Sequence, residues 1–138
     1  MSSVPFHYID LRTFAYATEA EGRVEAALRR FLPEEFGIER TEGEGHHGDP
    51  IVVLSTRVET ADDMRHVLDA VSELDDIDRV LDELDERVDE NCSLFLQFDK
   101  QAAYRGEVAL GDGITLRAKV EAYPARKEAA VENARGAF

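Results

Sequence analysis

The chain has 138 residues, 43% of them apolar, which suffices for one core and one domain spanning residues 1–138. Thirty acids against 16 bases give a formal net charge of -14 and a pI near 4.6. No apolar run of about 18 residues is present, so no membrane span is expected. The single cysteine, Cys92, excludes an internal disulfide, and the N-terminal stretch lacks a basic segment followed by an apolar one. A cytoplasmic protein with no membrane contact is the expectation.

The acids are spread along the whole chain, and only Lys100, Lys119 and Lys127 are lysines. This is the composition of a protein that works in molar salt, as in an extreme halophile. Acidity ordinarily argues against nucleic acid as a partner. At 1 M salt the screening length is only about 3 Å, so net charge is largely hidden and local contacts decide. RNA is therefore not excluded.

Residues 6–17, FHYIDLRTFAYA, predict a strand rich in aromatic and β-branched residues. Thr18 with Glu21 three places on predicts a capping box opening a helix over 19–32. Val24, Ala27, Leu28 and Phe31 form its apolar face, and Pro33 and Gly37 close it. A short strand from Ile38 to Thr41 leads into a glycine-rich loop. Residues 51–59 predict another strand, and Thr60 caps a helix with Asp62 and Asp63 in its first turn. Met64, Val67, Leu68, Val71 and Leu74 are its stripe. A second helical stretch over 76–85 is expected to bury Ile77, Leu81 and Leu84. ERVDENCSLFLQF predicts a hairpin turning near Glu90 and Asn91, and Asp99 caps a short helix ending at Gly106. EVALGDGITLRAKVEA predicts a second hairpin around Gly111, Asp112 and Gly113. Pro124 opens a last helix carrying Ala129, Ala130, Val131 and Ala134. The expected order is β-α-β-β-α-α-β-β-α-β-β-α. It makes an α+β fold of two layers, a mostly antiparallel sheet with helices packed on one face.

A sheet covered on one side leaves its other side to solvent. Alternation puts Ile114, Leu116, Ala118, Val120 and Ala122 on one face, and Thr115, Arg117, Lys119 and Glu121 on the other. It likewise sets Cys92, Leu94, Leu96 and Phe98 against Ser93, Phe95 and Gln97. The open face is thus expected to hold Arg12, Arg57, Arg117 and Lys119, with Tyr8 and Phe95 among them. Arginine for phosphate and aromatics for stacking suit single-stranded or loop RNA. Cross-strand pairing of these arginines with acids is the plainer use of the same residues.

Three further stretches carry candidate chemistry. In EGEGHHGDPI, His46 and His47 are adjacent, so on extended backbone they point apart. Histidine zinc ligands are usually spaced three to five residues apart. The flanking Gly43, Gly45 and Gly48 free backbone N–H groups, and imidazoles with amides suit phosphate or ribose. A surface loop without a ligand is the plain alternative. In FDKQAAYRG, Lys100 and Gln101 fall in the first turn of a capped helix, an arrangement for an anion. In AYPARKEAA, Arg126 and Lys127 open the last helix, where cations are mildly unfavourable unless an anionic partner is near.

Taken in order, YIDLRTFAYAT, EGHHGDPI, ERVDENCSLFLQFDKQAAYRG and EAYPARKEAAVEN resemble the small archaeal RNA-binding proteins assigned by prediction as exosome subunits. The likeness runs from about residue 7 to 134. Gly45, His46, His47, Gly48 and Pro50 match the loop motif, and Asp99, Lys100, Gln101, Ala102 and Ala103 match the turn motif. Asp49 stands where asparagine is common, and ENC where an Asp-Gly turn is common. The resemblance implies a fold similar to the ribosomal protein that holds 5S rRNA. It implies RNA binding without catalysis or cofactor, in an exosome- or ribosome-linked accessory role, and it leaves a homodimer open. Two other readings stand beside it: a metal-dependent hydrolase using His46, His47 and Asp49, and a protein–protein adaptor.

Overall fold

The computed structural model describes residues 4–45 and 47–138. Its elements are β1 (Phe6–Ala15), α1 (Glu21–Arg29), β2 (Glu39–Glu44), β3 (Pro50–Val58), α2 (Ala61–Val71), α3 (Ile77–Asp82), α4 (Leu84–Arg87), β4 (Ser93–Asp99), α5 (Lys100–Tyr104), β5 (Gly113–Val120) and α6 (Lys127–Arg135). The five strands form one sheet in the order β2-β3-β1-β5-β4, antiparallel at every step. The fold is α+β, as the alternation of hairpins and amphipathic helices predicts.

One face of the sheet carries the core. Ile9 and Leu11 of β1, Leu54 and Val58 of β3, Leu94, Leu96 and Phe98 of β4, and Ile114, Leu116, Ala118 and Val120 of β5 are buried. The helices meet this face through Val24, Ala27 and Leu28 of α1, the predicted stripe of α2, and Ala130, Val131 and Ala134 of α6. Burying each large aliphatic side chain stabilises the fold by about 1.5–3 kcal/mol. Phe31, just after α1, packs on Phe98 with ring centroids 4.7 Å apart. Thr13 is the buried polar residue in β1, and its hydroxyl donates to the Gly113 carbonyl at 2.7 Å.

Two predicted caps form: the Thr60 hydroxyl accepts from the Asp63 N–H, and Asp99 Oδ1 accepts from the Ala102 N–H at 2.9 Å. The Thr18 capping box does not. Helix α1 starts at Glu21 behind Ala20, and Glu21 instead receives two hydrogen bonds from Arg40, at 2.7 and 3.0 Å. A forked guanidinium–carboxylate pair is a stronger partner than one backbone amide.

Seven strands were expected and five form. Residues 84–87 are helical, and Val88 makes a single bridge to Leu94. Residues 107–110 do not pair with β5, because β1 and β4 already occupy both of its edges. They run along the outer side of β4, where Leu110 bridges Phe98 and Ala109 accepts from the Asp99 N–H. In the α3–α4 stretch Val80 and Leu84 are buried, whereas Ile77 and Leu81 are half-buried.

Candidate nucleic-acid interface

The face opposite the helices is built by strand register. Asp10 of β1 lies directly opposite Arg57 of β3 on one side and Arg117 of β5 on the other, and Arg117 faces Phe95 of β4. Arg57, Asp10, Arg117 and Phe95 thus form one row across four strands. The next row holds Ser55, Arg12, Thr115 and Gln97. Lys119 opposes Tyr8 and Ser93.

Asp10 is the pivot of the first row. Its Oδ1 and Oδ2 accept from Arg57 at 2.8 and 3.0 Å, and Arg117 approaches Oδ2 at 3.6 Å. The hydrogen bonds that Arg57 donates to Asp10 push its pKa up, so this guanidinium is charged at any working pH. Arg57 also lies over the Tyr8 ring, 3.9 Å from its centroid, and Arg117 reaches the Tyr8 hydroxyl at 3.5 Å. One carboxylate between two arginines leaves positive charge over, and a guanidinium stacked on an aromatic is held in place for a ligand.

Arg12 differs from them. Its guanidinium sits 5.3 Å from the Phe14 centroid, and it has no carboxylate partner among the described residues. On the open face, four cations (Arg12, Arg57, Arg117 and Lys119) stand with the carboxylates of Asp10, Glu39 and Glu59. In a chain with 30 acids to 16 bases that is a local concentration of bases. Glu39 and Glu59 stand at the β2–β3 rim. Between rim and Phe95 lies a trough of about 980 Å³ whose walls include Arg12, Arg57, Arg117 and Phe95.

The structure sorts the predicted site residues into separate places. Arg12, Arg57, Arg117 and Lys119 share the open face as alternation requires, and Lys119 Nζ donates to the Asn91 carbonyl at its far end. Lys100 is not on that face, and its ammonium is turned into the fold. It donates to the Phe14 carbonyl at 2.8 Å and to Glu19 at 2.9 Å, with its side chain 11% exposed. The charge expected for a phosphate is spent inside the fold. Gln101 is exposed on α5, a helix of five residues.

The histidine stretch is the tip of the β2–β3 hairpin. The Gly45 N–H donates to the Asp49 carbonyl at 2.6 Å, and the Gly48 N–H donates to the Gly45 carbonyl at 3.0 Å. Gly48 has φ +79°, which favours glycine. His47 is exposed here, and His46 lies outside the described residues. By register this tip stands at the sheet end where Ala15 opposes Val52, the end at which Lys100 is anchored. Arg126 and Lys127 follow the connection leaving the opposite end, beyond Val120. Among the described residues no three His, Cys, Asp or Glu side chains converge as metal ligands would.

Two participants were missed in the sequence. Phe14 extends the alternation Tyr8, Asp10, Arg12 by one step, so the same pattern contained it. Asp10 falls on the open face by the same alternation, but its sharing by two arginines needs the strand order, which alternation does not give.

Comparison with known proteins converges on one group. The model of a family described as RNA binding matches residues 8–120. The chain is 36% identical over 140 residues to RNA-binding protein PAB1135 of Pyrococcus abyssi, covering 94% of this chain and 91% of that one. Among solved structures, Mth689, a DUF54 protein of Methanothermobacter thermautotrophicus, is 40% identical with a TM-score of 0.80, covering 96% of this chain and 97% of that one. Protein AF2318 of Archaeglobus fulgidus superposes with a TM-score of 0.86 at 28% identity, covering 96% and 99%.

Proposed function

The chain belongs to this RNA-binding family, and on that premise we propose that it is a non-catalytic module holding single-stranded RNA across the open face of its sheet. The observation that carries the reading is the concentration of arginines on that face: Arg12 without an acid partner, and two arginines sharing Asp10, beside the exposed ring of Phe95. Phosphates need the first two features and bases the third. Strands lie about 4.8 Å apart, so the row from β3 to β4 spans roughly 14 Å. At about 3.4 Å per stacked nucleotide that is room for about four.

The role that suits such a module is an accessory one in RNA processing or degradation, linked to the exosome or the ribosome. This is what the motif resemblance supports. The hairpin tip, where His47 is exposed, is taken together with His46 as a second contact with the same RNA, and Arg126 and Lys127 as a third.

Ultraviolet crosslinking of the protein to a labelled single-stranded RNA in molar KCl, with mapping of the crosslinked peptides, tests the reading. Crosslinks should fall in β1, β4 and β5. Crosslinks confined to α2 and α3 would refute it.

A further inference from the structure

Phe95 lines two recesses. On its inner side is the trough of the arginines. On its outer side, at the β4 edge, is a recess of about 510 Å³ walled by Gln97, Leu110, Gly111 and Arg79, with Glu86 at its rim. The ring, 38% exposed, stands as a ridge between them.

The two recesses differ in how their arginines are partnered and in hydrogen-bonding capacity. Outside Phe95, the two arginines are matched by acids: Arg79 and Arg87 both pair with Glu83, at 3.4 and 2.8 Å, and Glu86 adds another carboxylate. Such a recess suits a neutral group rather than a phosphate. It also offers an unspent amide. The Gln97 side chain is exposed, points to the same face as Phe95 two residues away, and has no hydrogen-bond partner among the described residues. Its backbone is fixed, because its carbonyl accepts from the Gly111 N–H at 3.2 Å. Odd-numbered residues of β4 turn their backbone groups outward: the Ser93 carbonyl, the Gln97 carbonyl and the Asp99 N–H all bond on that side. By the same alternation the Phe95 carbonyl faces the recess.

We infer that the recess at the β4 edge takes one unpaired nucleobase, stacked against Phe95 and hydrogen-bonded by the Gln97 amide. The inference rests on the reading of the open face as the RNA surface and assigns the place where a base, as distinct from the backbone, is held. The phosphates flanking that base lie on the inner side, over Arg117 and Arg12. A neutral planar ring matches the recess in charge. An amide offers a donor beside an acceptor, the complement of a base edge. A duplex cannot supply the base, since its edges are already paired.

The test walks a single abasic nucleotide along an otherwise uniform single-stranded RNA, with affinity measured in molar KCl for the parent, Gln97→Leu, Phe95→Ala and Arg12→Ala. The parent should lose roughly tenfold in affinity at one abasic position, the scale of one stacked base. Gln97→Leu should bind intact RNA severalfold more weakly with an unchanged salt slope, and Phe95→Ala should no longer sense the abasic position. Arg12→Ala should still sense it while its salt slope falls. If Gln97→Leu and Phe95→Ala bind like the parent while Arg12→Ala is weakened, the base site is wrong and the RNA surface stands. If the parent binds no single-stranded RNA, the underlying reading falls with it.

Discussion

Lys100 Nζ lies 2.9 Å from the Glu19 carboxylate, 81 positions away in sequence, in a contact largely shielded from water. The same ammonium holds the Phe14 carbonyl, so one side chain ties the end of β1 and the turn before α1 to the start of α5. Gly113 is part of this junction. Its φ is +116°, and a Cβ there would come within 2.7 Å of the Lys100 Cβ. Lys100→Met keeps most of the packing and removes the charge. It should cost about 1.5–3 kcal/mol, the scale of hydrogen bonds to a charged group, at roughly 4 °C of melting temperature per kcal/mol. Thermal unfolding in molar KCl checks the loss. RNA affinity of the folded variant should change little.

The same contact sets a pH dependence. Burial raises the Glu19 pKa, but hydrogen bonds from Lys100 and the Tyr16 N–H, with the Lys100 charge, outweigh it and bring it below its ordinary 4.5. A carboxyl with a depressed folded pKa contributes stability that is fully present above its unfolded value. That contribution is lost as pH falls through the folded value. Glu19→Gln should therefore be less stable than the parent near neutrality. The difference should shrink below pH 4.5, as melting curves across an acid series would show.

Salt should matter to the whole fold. With a net charge of -14, self-repulsion grows once screening is withdrawn. Circular dichroism should show the protein losing structure on dialysis from molar to millimolar KCl. A spectrum unchanged over that range would remove the expectation of adaptation to high salt.

The hairpin tip makes a separable prediction. Its turn is held by backbone bonds between Gly45, Gly48 and Asp49, outside the core. Replacing His46 and His47 together by Ala should leave the melting temperature within about 1 °C, the scale of a neutral surface change. It should weaken RNA binding severalfold. A destabilised variant with parental affinity would make the tip a structural element only.

How much of this was legible in sequence follows from where each partner lies. Alternation in β1, β3 and β5 gave the open face because only one side of the sheet is buried, so apolar and polar residues had to separate. The caps at Thr60 and Asp99 were legible because their partners are three residues away. The fate of Lys100 was not, since its partners lie 81 and 86 positions off. Glu21 misled for the same reason: Arg40, 19 residues on, took the carboxylate that the local motif assigned to the helix start. The hairpin expected at Gly111 to Gly113 does not form: the stretch before it lies antiparallel to β4, and so runs in the same direction as β5, in a strand order that local chemistry cannot reveal. The base recess at the β4 edge was hidden too, because one wall comes from α3 and another from that stretch.

The claim that the open sheet face is the RNA surface is tested most directly by fluorescence anisotropy with a labelled single-stranded RNA of roughly 12 nucleotides, within the size range of such sites. The parent would be compared in molar KCl with Arg12→Ala/Arg117→Ala and with Arg135→Ala on α6, a cation outside the face. Arg12→Ala/Arg117→Ala should lose at least about tenfold in affinity, and its salt slope should fall by about one to two units. Arg135→Ala should match the parent. Equal affinity and equal salt slope for all three proteins would contradict the account.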